Sequence, residues 1–324
     1  MAVYTEVSDE ELSTFMASYD LGELLSFKGI AEGVENTNYF VHATRGPFIL
    51  TLYERRVAHD DLPFFLGLME HLANRGVSCP VPVRDLEGRN LRELAGRAAA
   101  LVTFLEGFWI RRPTPMHCAA VGRALAEMHL GGEGFALKRA NALGPAGWRP
   151  LYKRFANRTE EISAGLGQLI ESELDVLDAG WPTGLVEGVI HADLFPDNVF
   201  FLGNQLSGLI DFYFACTDAL AYDIAVCLNA WCFEQDASFN ITKGRAFLRG
   251  YEDVRPLTNA EREAMPMLAR GAAMRFLLTR AYDWLNTPPS ALVSPKNPAE
   301  YVRRLRFHQG VRSIADYGVG ERAK

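Results

Sequence analysis

His191-Ala192-Asp193-Leu194-Phe195-Pro196-Asp197-Asn198 sets a histidine, a carboxylate and an amide at the spacing H-x-D-x-x-x-x-N, and Leu209-Ile210-Asp211-Phe212 adds a second carboxylate soon after. Transfer of a phosphoryl group from a nucleoside triphosphate needs a carboxylate beside the attacking hydroxyl. It also needs an oxygen ligand for a divalent cation a few residues on, and a second carboxylate bridging that cation to the phosphates. Asp193, Asn198 and Asp211 suit those roles in that order, Asp193 at the hydroxyl and Asn198 and Asp211 on Mg2+. His191 is expected to pack or hydrogen-bond so as to hold the turn, because a loose phosphoryl transition state asks for placement more than for a strong base. Asp197 reads as a turn or cap carboxylate. Asp223 reads as the cap of the helix that follows, or as a brace behind the catalytic turn. An acidic loop between two core strands would use the same residue types, but two phrases with correct internal and mutual spacing weigh against it.

These phrases resemble the core motifs of the aminoglycoside phosphotransferase and choline kinase superfamily. Gly33-Val34-Glu35-Asn36-Thr37-Asn38-Tyr39, Phe48-Ile49-Leu50-Thr51-Leu52-Tyr53-Glu54, and Ile210-Asp211-Phe212-Tyr213-Phe214-Ala215 leading to Tyr222-Asp223 are similar more narrowly to its bacterial homoserine kinases. The resemblance runs from about Phe27 to Trp231. It implies an α/β (α+β) two-lobed protein-kinase-like fold, with a small antiparallel-sheet N-lobe over residues 1–106 and a larger, mainly helical C-lobe over 107–324. It also implies ATP and Mg2+ as cofactors and L-homoserine as acceptor, giving O-phospho-L-homoserine for threonine biosynthesis. Protein kinases write the pattern H-R-D and D-F-G, so Ala192 and Tyr213 are departures. Without the basic residue before Asp193, no switch that reads a phosphorylated activation loop is expected. The same chemistry on choline, an aminoglycoside or methylthioribose is the alternative. A nucleotide-binding regulator without turnover is a second, prompted by Thr51.

The elements that must position these residues can be read in order. Ser8-Asp9-Glu10-Glu11 has the S-x-x-E form of a capping box and opens a helix to about Tyr19. Residues 27–31 and 39–43 read as strands around a turn in which Gly33, Asn36, Thr37 and Asn38 can approach phosphates through backbone amides and short polar side chains. Residues 48–53 form the next strand, where kinases of this shape carry a lysine. Alignment puts Thr51 there, with Arg55 and Arg56 as the nearest cations. Residues 61–75 read as a helix containing Glu70, a candidate partner for a phosphate-holding base. Residues 83–86 and 90–94 should form a hairpin about Glu87-Gly88. Residues 98–105 form an apolar strand, and Phe104, Leu105, Glu106 and Gly107 are the candidates for a hinge that reads adenine.

Beyond Gly107 the pattern turns helical: residues 116–130, then 152–177 with breaks at Gly165 and Gly167, then 264–285, then a basic amphipathic stretch over 298–317. His117 and His129 lack ligands at metal spacing and are taken as structural. A zwitterionic acceptor needs readers for its carboxylate and its ammonium, sought among Asn229, Trp231, Arg275 and Arg280.

Composition agrees with an enzyme. A length of 324 residues suits about two domains, and 48% apolar residues can build a large core. No apolar run is long enough for a membrane span, and the acidic start lacks a signal pattern, so a cytoplasmic protein is expected. The five cysteines form no C-x-x-C pair and read as buried small hydrophobes. A formal net charge of −7 without a basic tract argues against nucleic acid as a partner. If Asn198 and Asp211 hold Mg2+, Asp211→Asn should lose nearly all turnover while keeping its fold. ADP release at saturating Mg2+, with circular dichroism as the control, checks this, and near-normal turnover would refute the ligand role.

Overall fold

The computed structural model describes residues 4–30, 36–54, 58–288 and 294–320. The chain forms two compact units, Met1–Glu106 with Gly208–Tyr213, and Gly107–Ser207 with Phe214–Lys324. Asp211 thus belongs to the first unit, although it follows the catalytic turn in sequence.

In the first unit, helix α1 (Asp9–Met16) opens with the anticipated capping box: Glu11 N–H donates to Ser8 Oγ (3.3 Å), and Ser8 N–H donates to Glu11 Oε2 (2.9 Å). An antiparallel sheet runs in the order β1 (Leu24–Ile30), β2 (Thr37–Ala43), β3 (Gly46–Leu52), β5 (Arg97–Thr103), β4 (Arg92–Leu94). Alternate residues along β2 and β3 face one core. There Tyr39, Val41 and Leu50 pack with Leu12, Phe15 and Met16 of α1 and with Leu101. From Leu50 to Leu52 both faces of β3 are buried, which brings Thr51 inside. Helix α2 (Leu62–Asn74) follows, with Pro63 in its first turn.

The hairpin expected over 83–94 does not form. Asp85 instead folds its segment onto its own carboxylate, which accepts from the N–H groups of Glu87 (3.0 Å) and Arg89 (2.8 Å) and from the Arg92 guanidinium (2.6 Å). The strand that remains, β4, pairs with β5.

The second unit is mainly helical: α3 (Pro115–Gly131), α4 (Pro145–Lys153), α5 (Leu166–Gly180), α6 (Leu220–Trp231), α7 (Ile241–Glu252), α8 (Asn259–Asn286) and α9 (Ala299–Gly310). Short strands β7 (Glu187–Ile190) and β10 (Cys216–Ala219) pair antiparallel. The strands β6 (Phe108–Trp109), β8 (Val199–Leu202) and β9 (Gln205–Leu209) form a second small sheet. The centre of the unit is α6, whose residues are buried on nearly every side. Helices α3 and α7 approach closely because Gly122 and Gly250 lack side chains where each meets the other's backbone. Residues 152–177 are not one helix: α4 ends at Lys153, a 3-10 segment covers Ala156–Glu161, and Gly165 at φ +73° precedes α5. The basic stretch over 298–317 likewise stops at Gly310 and resumes as a 3-10 turn, Ile314–Tyr317. All five cysteines are buried thiols. Among the described residues no helix is long and apolar enough to cross a membrane.

A buried polar relay ties α6, α8 and α9 together. Asn229 donates to the carbonyls of Ala225 (3.0 Å) and Ala269 (3.1 Å), and its Oδ1 accepts from His308 Nε2 (3.2 Å). His308 Nδ1 then meets the Tyr317 hydroxyl at 2.8 Å. Burial, with Arg304 and Arg270 nearby, pushes the His308 imidazole down to about 3. The unfolded chain binds a proton at this residue near pH 6.5, which the folded protein refuses until about pH 3. Stability should therefore fall with falling pH across that window, by about 1.4 kcal/mol per pH unit from this group. Urea unfolding of the parent and His308→Gln between pH 6 and 4 checks it: the parent should lose stability more steeply, and parallel slopes would count against this origin.

Candidate active site

The catalytic turn begins where β7 ends at Ile190. His191 and Ala192 are buried, and Ala192 adopts φ +63°, a left-handed conformation that costs a non-glycine residue about 1 to 2 kcal/mol. Asp223, in the first turn of α6 and fully buried, holds this turn. Its carboxylate accepts from the N–H of His191 (2.7 Å) and of Ala192 (2.9 Å), and His129 Nε2 of α3 lies 3.2 Å from it. Burial alone would raise the Asp223 pKa. The hydrogen bond and charge of His129 and the contacts of His191 outweigh it and keep the carboxyl below its usual range. On the other side of the turn the buried Arg275 of α8 donates to the carbonyl of Ala192. Both polar groups of the left-handed residue are thus satisfied by charged side chains from two helices.

His191 faces inward, and its Nδ1 accepts from the Asp193 N–H (3.3 Å), so it holds the turn rather than addressing a substrate. Asp193 follows with its side chain 21% exposed, its Oδ1 3.8 Å from Arg275. Burial pushes its carboxyl up to about 6, with Arg275 pulling it back, Asp197 pushing it further up and Lys296 opposing. It is therefore mainly ionised at neutral pH. Asn198 ends a 3-10 turn, Pro196–Asn198, and its Nδ2 donates to the Asp193 carbonyl (2.8 Å). That bond orients the Asn198 amide against the turn.

The residues sought as substrate readers are differently employed. Trp231 is buried, and its Nε1 donates to the Leu194 carbonyl (2.7 Å), so it steadies the catalytic turn from below. Asn229 is spent inside the helix relay. Arg280 pairs with Glu300 (2.8 Å) and lies over the Tyr301 ring (4.5 Å), tying α8 to α9. Arg275 is the one of the four brought to Asp193.

In the first unit, Asp211 sits at φ +63°, a second left-handed non-glycine residue within the motifs. Burial raises the Tyr53 and Tyr213 hydroxyls above their ordinary range, with Asp211 among the causes, so it lies within electrostatic reach of both. Two residues expected to reach phosphates are bonded within the first unit. The Asn36 carbonyl oxygen accepts from Glu54 N–H (3.3 Å), and the Thr37 hydroxyl donates to Glu54 (2.9 Å) while accepting from Tyr4 N–H (3.0 Å). Both are buried and shape the start of β2. Asn38 is half-buried, and its Oδ1 accepts from the Thr51 hydroxyl (2.8 Å). Gly33, Arg55 and Arg56 lie outside the described residues. Glu70 does not serve a base on β3: it forms a bidentate pair with Arg84 at the surface.

At the strand exit, Phe104 and Glu106 are exposed and Leu105 is half-buried. Gly107 adopts φ +136°, and the Ser207 hydroxyl stands where a Cβ would project, so no larger residue fits. Sequence reasoning left His129 without a partner because Asp223 lies far away along the chain. It equally missed the Arg275 bond to Ala192, for which no local signal exists.

Residues 26–257 match the phosphotransferase enzyme family, and the chain belongs to that family. Homoserine kinase of Bradyrhizobium diazoefficiens is 65% identical to it over 98% of both chains. Those of a Chelativorans species (62%) and of Rhizobium johnstonii (61%) each align over 98% of this chain and 99% of their own. Among solved structures, an amicoumacin kinase in complex with AMP-PNP and Ca2+ superposes with a TM-score of 0.68 at 16% identity, covering 96% of this chain and 94% of its own. Choline kinase from Cryptosporidium parvum gives 0.67 at 14% identity, covering 93% and 94%. Such distant likenesses establish the fold: a kinase-like chain with an antiparallel-sheet N-lobe and a helical C-lobe.

Asp223→Asn would turn a donor toward amides that need an acceptor. It should cost about 2 kcal/mol or more in unfolding free energy and lower turnover. Denaturant titration and steady-state assays check both, and an active variant of parental stability would remove Asp223 from this role.

Proposed function

We propose that this protein transfers the γ-phosphoryl group of ATP to the side-chain hydroxyl of L-homoserine, yielding O-phospho-L-homoserine in threonine biosynthesis. One observation carries the reading: over nearly the whole chain the sequence is 61 to 65% identical to proteins named homoserine kinase, and Asp193 keeps a partly exposed carboxylate on a rigid turn. Asp193 is the group that orients the acceptor hydroxyl and accepts its proton as the bond to phosphorus forms. The base need not be strong, because the proton leaves late in a loose transition state. Ionised near neutrality and held between Arg275 and the Asn198 amide, Asp193 can do this without moving.

Mg2+ suits the donors present. The Asn198 carbonyl oxygen and the Asp211 carboxylate are hard oxygen ligands, and no group of three or more His, Cys, Asp or Glu side chains that could hold a softer metal occurs among the described residues. Bound there, the cation would neutralise charge on the ATP phosphates. Backbone groups over Phe104, Leu105, Glu106 and Gly107 are the proposed readers of adenine, and the reaction belongs in the cytoplasm.

Asp193→Asn should bind ATP and homoserine almost as the parent does while losing on the order of 100-fold or more in kcat. ADP release across homoserine, serine, threonine, choline, methylthioribose and kanamycin, run on both proteins, is the measurement. Homoserine should lead over choline, methylthioribose and kanamycin, because a site matched to a carboxylate and an ammonium leaves polar groups unpaired where either is absent. Turnover of a different acceptor would overturn the substrate, and a fully active Asp193→Asn the mechanism.

A further inference from the structure

The lysine that kinases of this shape place on β3 is absent, and the surroundings of Thr51 show what stands there. The β2–β3 register sets Thr51 opposite Asn38, and the Thr51 hydroxyl donates to the Asn38 carbonyl oxygen at 2.8 Å. The amide plane then directs the Asn38 NH2 donors away from Thr51. The Tyr213 hydroxyl is 3.2 Å from that of Tyr53, and Thr51 is among the groups that act on it electrostatically. Edge-on contacts fix the Tyr213 ring, with centroids 5.5 Å from Tyr53 and 5.6 Å from Phe65. Tyr213 occupies the third place of the D-F-G pattern, where a glycine would leave room, and its ring fills the space beside Thr51 that a long side chain would need.

The glutamate that would pair with such a lysine is also diverted, since Glu70 is held by Arg84. Thr51 and Tyr213 depart from the kinase pattern and Glu70 is paired elsewhere, and what stands beside Thr51 is a set of neutral groups in a buried place where an unpaired ammonium would be costly. Triphosphate oxygens accept from hydroxyl and amide donors as they do from cations, and hydrogen bonds to an ionised partner are the stronger kind.

We propose that Asn38, Thr51, Tyr53 and Tyr213 form an uncharged cluster in which the buried Thr51 and Tyr53 orient the Asn38 amide and the Tyr213 hydroxyl as donors to the nucleotide phosphates, in place of a lysine and its glutamate, an inference that rests on the ATP-dependent reading above. The cluster is a positioning device, made of groups that remain neutral when the site is empty, so it needs no counter-ion. With no cation on β3, charge neutralisation at the phosphates falls to the metal.

Calorimetric titration of Mg-AMP-PNP into the parent, Thr51→Val, Tyr213→Phe and Thr51→Lys tests this, with melting temperatures and homoserine turnover measured alongside. Thr51→Val and Tyr213→Phe keep shape but each gives up one hydrogen bond of the cluster, so a modest drop in melting temperature is expected and both should remain folded at the titration temperature. Each should weaken nucleotide binding by about tenfold and raise KM for ATP more than it lowers kcat. Thr51→Lys should not tighten binding, because its ammonium would find Tyr213 in its space and Glu70 already paired. Parental affinity in both neutral variants, or tighter binding by Thr51→Lys, would overturn the proposal. A parent that binds no nucleotide would instead overturn the ATP reading beneath it.

Discussion

The catalytic turn depends on one buried carboxylate. Asp223 has no contact with solvent, and burying an ion is tolerable only where hydrogen bonds replace its water. The donors are the two backbone amides that open the turn and the imidazole of His129, so the charge and the unusual backbone of Ala192 stabilise each other. Remove the charge and two inward-facing amides lose their acceptor; straighten the backbone and the charge loses its solvation. Arg275 completes the arrangement by taking the Ala192 carbonyl, and its guanidinium lies 4.4 Å from the Phe276 ring centroid.

This explains why so much of the second unit is helix packed on α6. Asp223, Trp231 and Arg275 come from two helices and bond to the loop between β7 and β8, and His129 of a third helix holds Asp223 from behind. The close seat of α3 on α7 sets the position of His129, whose Nδ1 is 2.7 Å from the Tyr251 hydroxyl of α7. The loop is short and carries few contacts of its own, so its precision comes from the rigid elements around it. Asp193 can then remain partly exposed, as a group that must meet substrate should, while its neighbours are buried.

The smaller unit uses charge sparingly. Glu54 gathers the Thr5 and Thr37 hydroxyls and the Arg97 guanidinium, which fixes the entry to β2. Asn36 and Thr37 serve that structure, and Asn38 turns toward Thr51. Glu70 was misread because a helix carboxylate suggests a partner across the sheet until the fold brings Arg84 closer.

Spacing and local chemistry alone determined a good deal here. The spacing of His191, Asp193, Asn198 and Asp211 carried the reaction class, because it sets a carboxylate, an amide oxygen and a second carboxylate at the intervals of the kinase motifs. Ser8 with Glu11 located the start of α1, since capping is a local effect. The turn over 83–94 defeated the same reasoning, because Asp85 gathers donors from residues whose approach no propensity encodes. Glycines marked the breaks near α5, but the division of residues 152–177 into three pieces follows from packing. Only the tertiary structure showed that Asn229, Trp231 and Arg280 support the framework, that His129 and Arg275 reach the catalytic turn, and that Tyr213 fills the space beside Thr51. The physical reason is common to all of these: a buried polar side chain must find its partner in space, and the chain separates those partners by tens of residues.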